Sequence, residues 1–343
     1  MAKDLHTEGN GAALKENFAT DQDVRWCPGC GDYAILAQMK KVLPELGIPQ
    51  AKTVFISGIG CSSRFPYYIN SYGFHTVHGR APTIASGVKL ANPELSVWII
   101  SGDGDGFSIG ASHLMHLCRR NIDVNVVLFN NQIYGLTKGQ YSPTSPLGKI
   151  TKTTPFGSLD APFNPLALVL GAGATFVART VDRDTRHMAE IFRRAAAHKG
   201  TSFVEVYQNC NIFNDGAFAA LTDPQTKLDN LLYLEDGQPL VYGGETRYGL
   251  KVEDLALSRF EAGEGQDGEA HLHRETGMPM AYLSMLAELN QVPGMPTPVG
   301  VFRNDNRPTY DAMVYDQIEA VTQRKGKGNL KELFITGDTW QVD

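Results

Sequence analysis

The stretch Leu95-Ser-Val-Trp-Ile-Ile-Ser101-Gly102-Asp103-Gly104-Asp105-Gly106 decides the fold. Its first half is an almost continuous apolar, β-rich run, the pattern of a strand buried on both faces. Its second half is a turn of alternating Gly and Asp, after which Phe107 to Arg120 carries helical periodicity. The same alternation continues in both directions. Upstream, Gly31 to Leu46 has helical spacing, Thr53–Ser57 is a short strand and Pro82 to Ala91 a helix opened by proline. Downstream come a strand at Asp123–Phe129, a helix at Leu166–Leu170, a strand at Ala174–Ala178, a helix from Asp182 to Lys199 and a strand at Ser202–Tyr207. Strands and helices joined by short connections predict an α/β fold, a mostly parallel sheet with helices on both faces. Such sheets bind ligands beyond the carboxyl ends of their strands, so the segments after Ser57, Ser101, Phe129 and Tyr207 are predicted to share one edge.

The composition suits this reading. The chain has 343 residues, 42% apolar and 20% charged, enough for one large core or two smaller ones. A net charge of −6 without a basic block argues against nucleic acid or anionic lipid as the main partner. Mean hydropathy is −0.21 and no apolar run reaches the ~20 residues of a membrane helix. The polar opening Met1 to Gly9 has no secretory pattern, so a cytoplasmic location is expected, where five cysteines serve metal or redox chemistry more readily than disulfides. Three regions are predicted: a polar arm at 1–20, an α/β domain at 21–216, and a smaller irregular extension at 217–343 for subunit contacts. The extension is rich in glycine and charge at 230–275, with helical stretches at Pro279–Leu289 and around Tyr310–Arg324.

A magnesium diphosphate site needs close backbone approach and hard oxygen ligands. One Gly-Asp-Gly is commonly just a turn. Here a second half of the signal follows the next strand, at Asn130-Asn131-Gln-Ile133-Tyr-Gly135. One helix and one strand separate Asp103 from Asn131 and return the chain to the same sheet edge. Cys27-Pro-Gly-Cys30 invites a dithiol reading, but the preceding Glu16–Arg25 is too polar for the buried strand a thioredoxin-like fold requires. With Cys61 and Cys210, both in loops of the predicted edge, these cysteines make four sulfurs suited to one inorganic centre. Spacing alone does not separate iron–sulfur from zinc. Cys118, His113 and His116 lie within the helix after Gly106 and read as ordinary helix packing. The glycine patterns at Gly58–Ser63 and Gly102–Phe107 lack the third glycine of a dinucleotide fingerprint.

Gly102-Asp103-Gly104 followed by Asn130-Asn131 resembles the thiamine-diphosphate signature. With Ile133-Tyr-Gly-Leu-Thr-Lys-Gly-Gln140 and Ser142-Pro-Thr144, it resembles the β subunit of 2-oxoacid:ferredoxin oxidoreductases over roughly residues 24–215, most like the 2-oxoglutarate type. The resemblance implies a thiamine-diphosphate-binding fold of the module that holds the diphosphate. It implies Mg²⁺ on Asp103, Asn131 and Ile133, and a cofactor lined by Gly60, Cys61, His78, Gly79, Arg80, Gly104, Asp105 and Leu136. It also implies one 4Fe–4S cluster on Cys27, Cys30, Cys61 and Cys210; no Cys-x-x-Cys-x-x-Cys run provides a second. The activity implied is oxidative decarboxylation of a 2-oxoacid to acyl-CoA and CO₂, with single electrons passed to ferredoxin, or the reverse. Arg64 and Lys138, both in site loops, are candidates for a substrate carboxylate and favour a dicarboxylate such as 2-oxoglutarate. The sequence holds no second strand–helix series, so the glutamate that thiamine enzymes place against the aminopyrimidine is expected from a partner α subunit, in a heterodimer or a dimer of heterodimers. The rivals are the same half-enzyme acting on pyruvate or other 2-oxoacids, a non-redox thiamine decarboxylase, and a zinc-bearing structural subunit without catalysis.

Overall fold

The computed structural model describes residues 17–254, 256–263 and 266–342, so most of the polar arm lies outside the described residues. Eleven strands are β1 (Thr53–Ser57), β2 (Tyr72–His75), β3 (Ser96–Gly102), β4 (Asn125–Asn130), β5 (Phe176–Val181), β6 (Ser202–Tyr207), β7 (Leu231–Leu234), β8 (Val241–Tyr242), β9 (Tyr248–Glu253), β10 (Ala256–Glu261) and β11 (Thr297–Asn304). Eight of them form one sheet in the order β2-β1-β3-β4-β6-β5-β11-β7. The first six are mutually parallel, and β11 enters antiparallel to β5 with β7 parallel to it at the edge. Strands β8–β10 make a small separate antiparallel sheet.

Alternation along each central strand sends neighbouring side chains to opposite faces. Val54, Ile56, Val97, Ile99, Val126 and Leu128 pack on one face with α2 (Ala81–Ala91), α4 (Ala111–Arg120), α5 (Pro165–Gly171) and the helix Met280–Glu288. Phe55, Trp98, Ile100, Val127 and Phe129 pack on the other with α1 (Asp32–Val42) and α6 (Thr185–Ala197). The helices are started by local chemistry. Pro165 opens α5 behind an Asn164 side chain that accepts the Ala167 N–H, and Asp184 does the same for His187 at the start of α6. Asn121 ends α4 in a left-handed conformation.

The layered, mostly parallel architecture is the predicted one. Three details differ. The predicted helix from Phe107 to Arg120 is two, a short α3 (Asp103–Phe107) and α4, broken at Ser108–Gly110. There Gly110 packs so closely on Gly79 that a Cβ at either would meet the other's backbone at 3.0 Å or less. Strand β2 carried no sequence signal, being four residues long, interrupted by Gly73 and exposed along its length. The 217–343 segment also gives β7 and β11 to the main sheet; β11 reads poorly as a strand because it contains Pro298 and Gly300.

Phe302 of β11 is fully buried in the same core as Val54 and Leu128. Phe302→Ala is therefore expected to cost about 3–5 kcal/mol in urea unfolding of the whole chain, followed by tryptophan fluorescence. A loss below about 1 kcal/mol would mean that the C-terminal strands are not part of the main cooperative unit.

Candidate functional site

The loops after β1, β3, β4 and β6 meet at the carboxyl ends of the strands, as the topology requires. They enclose a cavity of about 600 Å³ lined by Ile59–Ser62, Gly102–Asp105, Asn131, Ile133–Thr137 and Gln208, joined by His78 and Asp32. Asp105 binds the loops together. Its Oδ1 accepts the Ile59 and Gly79 N–H groups at 3.0 and 2.7 Å and faces His78 Nδ1 at 2.8 Å. Its Oδ2 accepts the Ser101 hydroxyl at 2.6 Å. Gly58 exists because of this carboxylate, since a Cβ there would lie 2.0 Å from Oδ2.

Asp103 is 2% exposed, and its Oδ2 accepts hydroxyl bonds from Ser142 and, at 2.6 Å, Thr144. Burial pushes its carboxyl up to about 6. Across the cavity, Asn131 Oδ1 accepts the Ile133 N–H at 3.1 Å, while the Asn131 carbonyl accepts from Asn214 Nδ2 at 2.8 Å. The turn between Asn131 and Ile133 is tight, with Gln132 in the left-handed region; Lys138, further along the same loop, is left-handed too. Tyr134 reaches back to donate its hydroxyl to the Gly104 carbonyl at 3.0 Å, and its ring occupies the space a Gly104 side chain would need.

A second cavity of about 200 Å³ is lined by Cys27, Cys30, Cys61 and Cys210 together with Trp26, Arg64 and Lys138. It shares Cys61, Asn131, Gly135 and Leu136 with the larger one. Backbone bonds bring distant segments here. Gly31 N–H donates to the Asn209 carbonyl at 3.2 Å, and Asn211 Nδ2 to the Pro28 carbonyl at 2.6 Å. Trp26 Nε1 donates to the Cys61 carbonyl at 2.6 Å. A Cβ on Gly135 would stand 3.5 Å from Cys61 Sγ and 3.7 Å from Cys210 Sγ, so glycine keeps that wall open. Burial, with Asp32 and neighbouring sulfurs adding to it, pushes the Cys61 thiol up to about 12 and raises Cys30 further. Among the described residues no group of three or more His, Cys, Asp or Glu is gathered closely enough to hold a lone metal ion.

Not every candidate lines the large cavity. Gly79 is spent on Asp105, and Arg80 turns its guanidinium to the Ile109 carbonyl at 3.2 Å. Arg64 and Lys138 border the cysteine cavity instead. Asp32, Ser62 and Gln208 were missed by the sequence reading, although each lines the large cavity and is buried. Burial pushes the Asp32 carboxyl up to about 7, opposed by its contact with the Cys30 side chain. Its place directly after Cys30-Gly31 was the available signal. Cys118 packs in the core, as expected.

Comparison with known proteins defines the class first. Residues 58–206 match the family described as "Thiamine pyrophosphate enzyme, C-terminal TPP binding domain". Over 96% of its length the chain is 48% identical to the 2-oxoglutarate oxidoreductase subunit KorB of Mycobacterium tuberculosis, covering 88% of that protein. It is 50% identical over 58% of its length to a 2-oxoacid:ferredoxin oxidoreductase β subunit of Aeropyrum pernix, covering 63% of it. A solved 2-oxoglutarate:ferredoxin oxidoreductase from Magnetococcus marinus, with 2-oxoglutarate, coenzyme A and succinyl-CoA bound, superposes at TM-score 0.74. That match has 33% identity and covers 94% of this chain and 95% of that one. The chain belongs to the β subunits of the 2-oxoacid:ferredoxin oxidoreductases. No helix among the described residues is long and apolar enough to cross a membrane.

Asp105 is expected to control loop order before any ligand binds. Asp105→Ala strands two buried N–H groups and should cost about 3–5 kcal/mol in urea unfolding; Asp105→Asn, which keeps one acceptor oxygen, should cost about 1–2 kcal/mol. Equal losses in the two variants would show that neither the side chain's size nor one retained acceptor oxygen holds the loops, and that the full carboxylate is required.

Proposed function

We propose that this chain is the thiamine- and cluster-bearing subunit of a 2-oxoglutarate:ferredoxin oxidoreductase, forming or consuming succinyl-CoA and CO₂ with a partner α subunit. The observation that carries the proposal is the shared wall of the two cavities: Cys61, Asn131, Gly135 and Leu136 border both. A two-electron decarboxylation coupled to a one-electron carrier needs its organic cofactor and its redox centre in close contact, and such a wall provides it.

The donor sets fit the implied groups. Asp103, the Asn131 side chain and the Ile133 carbonyl offer hard oxygens suited to Mg²⁺ and through it to a diphosphate. Ser142 and Thr144 hold Asp103 in place. Cys27, Cys30, Cys61 and Cys210 offer four soft sulfurs around a cavity rather than around a point, which suits a 4Fe–4S cluster better than a single zinc. Burial keeps the Cys30 and Cys61 thiols protonated at neutral pH, so taking up a metal there would release their protons to solvent. Thiamine diphosphate, when bound, supplies the electron sink for breaking the bond to CO₂. The walls Ile59–Ser62 and Ile133–Leu136 would enclose it, and Gly60, with open space at its Cβ position, would let the backbone approach closely.

No glutamate lines the large cavity among the described residues. That supports an α subunit contributing the group against the aminopyrimidine, with ferredoxin as the external acceptor. Arg64 and Lys138, beside the cysteines, would reach a substrate carboxylate only across the shared wall. A zinc-bearing subunit without catalysis remains the reading the same cysteines favour if no iron binds.

Anaerobically purified complex is expected to be brown, with absorbance near 400 nm (a rough value for thiolate-ligated clusters). It should reduce a viologen with 2-oxoglutarate and coenzyme A, whereas the chain without its α partner should not turn over. Cys210→Ser should bleach the band and lose iron; a colourless wild-type protein containing zinc would overturn the redox assignment. Arg64→Ala should reduce the preference for 2-oxoglutarate over pyruvate by about tenfold in kcat/KM, as loss of a charged bond predicts. An unchanged preference would remove Arg64 from substrate recognition.

A further inference from the structure

Arg179 and Glu205 sit opposite each other in the parallel register of β5 and β6, and both side chains are fully buried. Arg179 Nε donates to Glu205 Oε2 at 2.6 Å, and the rings of Tyr207 and Phe302 flank the guanidinium at 5.0 and 5.5 Å. Neither residue lines the large cavity or the cysteine cavity. A buried ion pair in a sheet contributes little that well-packed apolar residues would not, so stability does not account for it.

What Glu205 does with its other oxygen does. Oε1 accepts from Asn130 Nδ2 at 2.7 Å. Asn130 Oδ1 in turn accepts the Gln132 N–H at 3.2 Å and meets the Thr144 hydroxyl at 2.9 Å. That same hydroxyl lies 2.6 Å from Asp103 Oδ2. A carboxylate only accepts, so the Asn130 nitrogen must face Glu205 and its oxygen must face Gln132 and Thr144. The orientation of one amide is thus set from the middle of the sheet.

We propose that the Arg179–Glu205 pair is a positioning device for the metal–diphosphate site. By fixing the Asn130 amide it sets the left-handed turn at Gln132 that presents Asn131 and Ile133. The inference rests on the metal reading given under Proposed function. Charge at position 205 is essential to it. A glutamine there would give its carbonyl to Arg179 and its NH₂ to Asn130. Asn130 would then turn its own NH₂ against the Gln132 N–H, donor facing donor.

The test uses the full chain co-expressed with its α partner and stripped of divalent metal, with Mn²⁺ as probe. Free Mn²⁺ is followed by electron paramagnetic resonance at saturating thiamine diphosphate. Glu205→Gln and Asn130→Ser are each expected to weaken Mn²⁺ binding about 10-fold or more, the range for groups that orient metal ligands, while the visible spectrum of the complex is unchanged. Because both act through one amide, the double variant should bind within about twofold of the weaker single one, where independent sites would multiply. Wild-type Mn²⁺ affinity in Glu205→Gln, or multiplied losses in the double variant, overturns the proposal. If Asp103→Ala also binds Mn²⁺ as wild type does, the metal reading itself fails and the proposal falls with it. Should Glu205→Gln not fold, Asn130→Ser alone breaks the chain at its middle link and tests the same loss.

Discussion

Four donors converge on the carboxylate of Asp105: two backbone N–H groups, an imidazole nitrogen and a hydroxyl, all within 3.0 Å. A buried carboxylate is costly unless its lone pairs are filled, and here the protein fills them from two loops and the end of β3. The charge therefore acts as a mould. The loop after β1 cannot shift without stranding Ile59, nor can the 76–80 segment without stranding Gly79. The position of Cys61, two residues beyond Ile59, follows from the same constraint. One carboxylate thereby locates the wall that both cavities share.

The sheet and its ligand edge were legible because burial on two faces leaves a plain mark: the β-rich runs of β1, β3, β4 and β6 have almost no polar interruption. The motifs at 102–106 and 130–135 were legible because glycine beside Asp103 marks a close approach and paired asparagines at a strand end supply side-chain oxygens. Other features left weaker marks for physical reasons. Strand β2 lies at an exposed edge, where no apolar pattern is required. Strand β11 carries Pro298 and Gly300, which ordinarily signal a connection. Arg179 and Glu205 look like solvent-facing positions of their strands, and only the register shows that they neutralise each other inside. Asp32 follows the Cys-x-x-Cys motif so closely that its own burial is masked by the stronger signal.

The same distinction separates the two kinds of site residue. Cys27, Cys30, Cys61 and Cys210 come from three distant parts of the chain, yet a rule about strand ends brings two of them together before any coordinate is known. The Cys27–Cys30 turn needs a different tether, and it has one in the bonds from Gly31 and Asn211 across the loop after β6. Gly31 itself admits no side chain, since a Cβ would lie 2.0 Å from Asp182 Oδ2. Glycine directly after the motif is thus a packing requirement.

Arg64 and Lys138 show how much a loop assignment leaves for geometry to decide. Both stand in loops of the ligand edge, which made them natural partners for a substrate carboxylate. Their side chains instead border the cysteine cavity, and Arg64 spends one guanidinium nitrogen on the Arg25 carbonyl at 3.1 Å. Two cations beside four sulfurs stabilise negative charge there by simple Coulomb attraction, whatever else they bind. A cation in that place favours thiolate over thiol, and among the influences on the Cys61 thiol Arg64 is the one that opposes burial. Under the proposed function, recognition of a substrate carboxylate and support of the sulfurs would compete for the same two side chains. The shared wall, which joins the two cavities, is what makes that competition physical rather than formal.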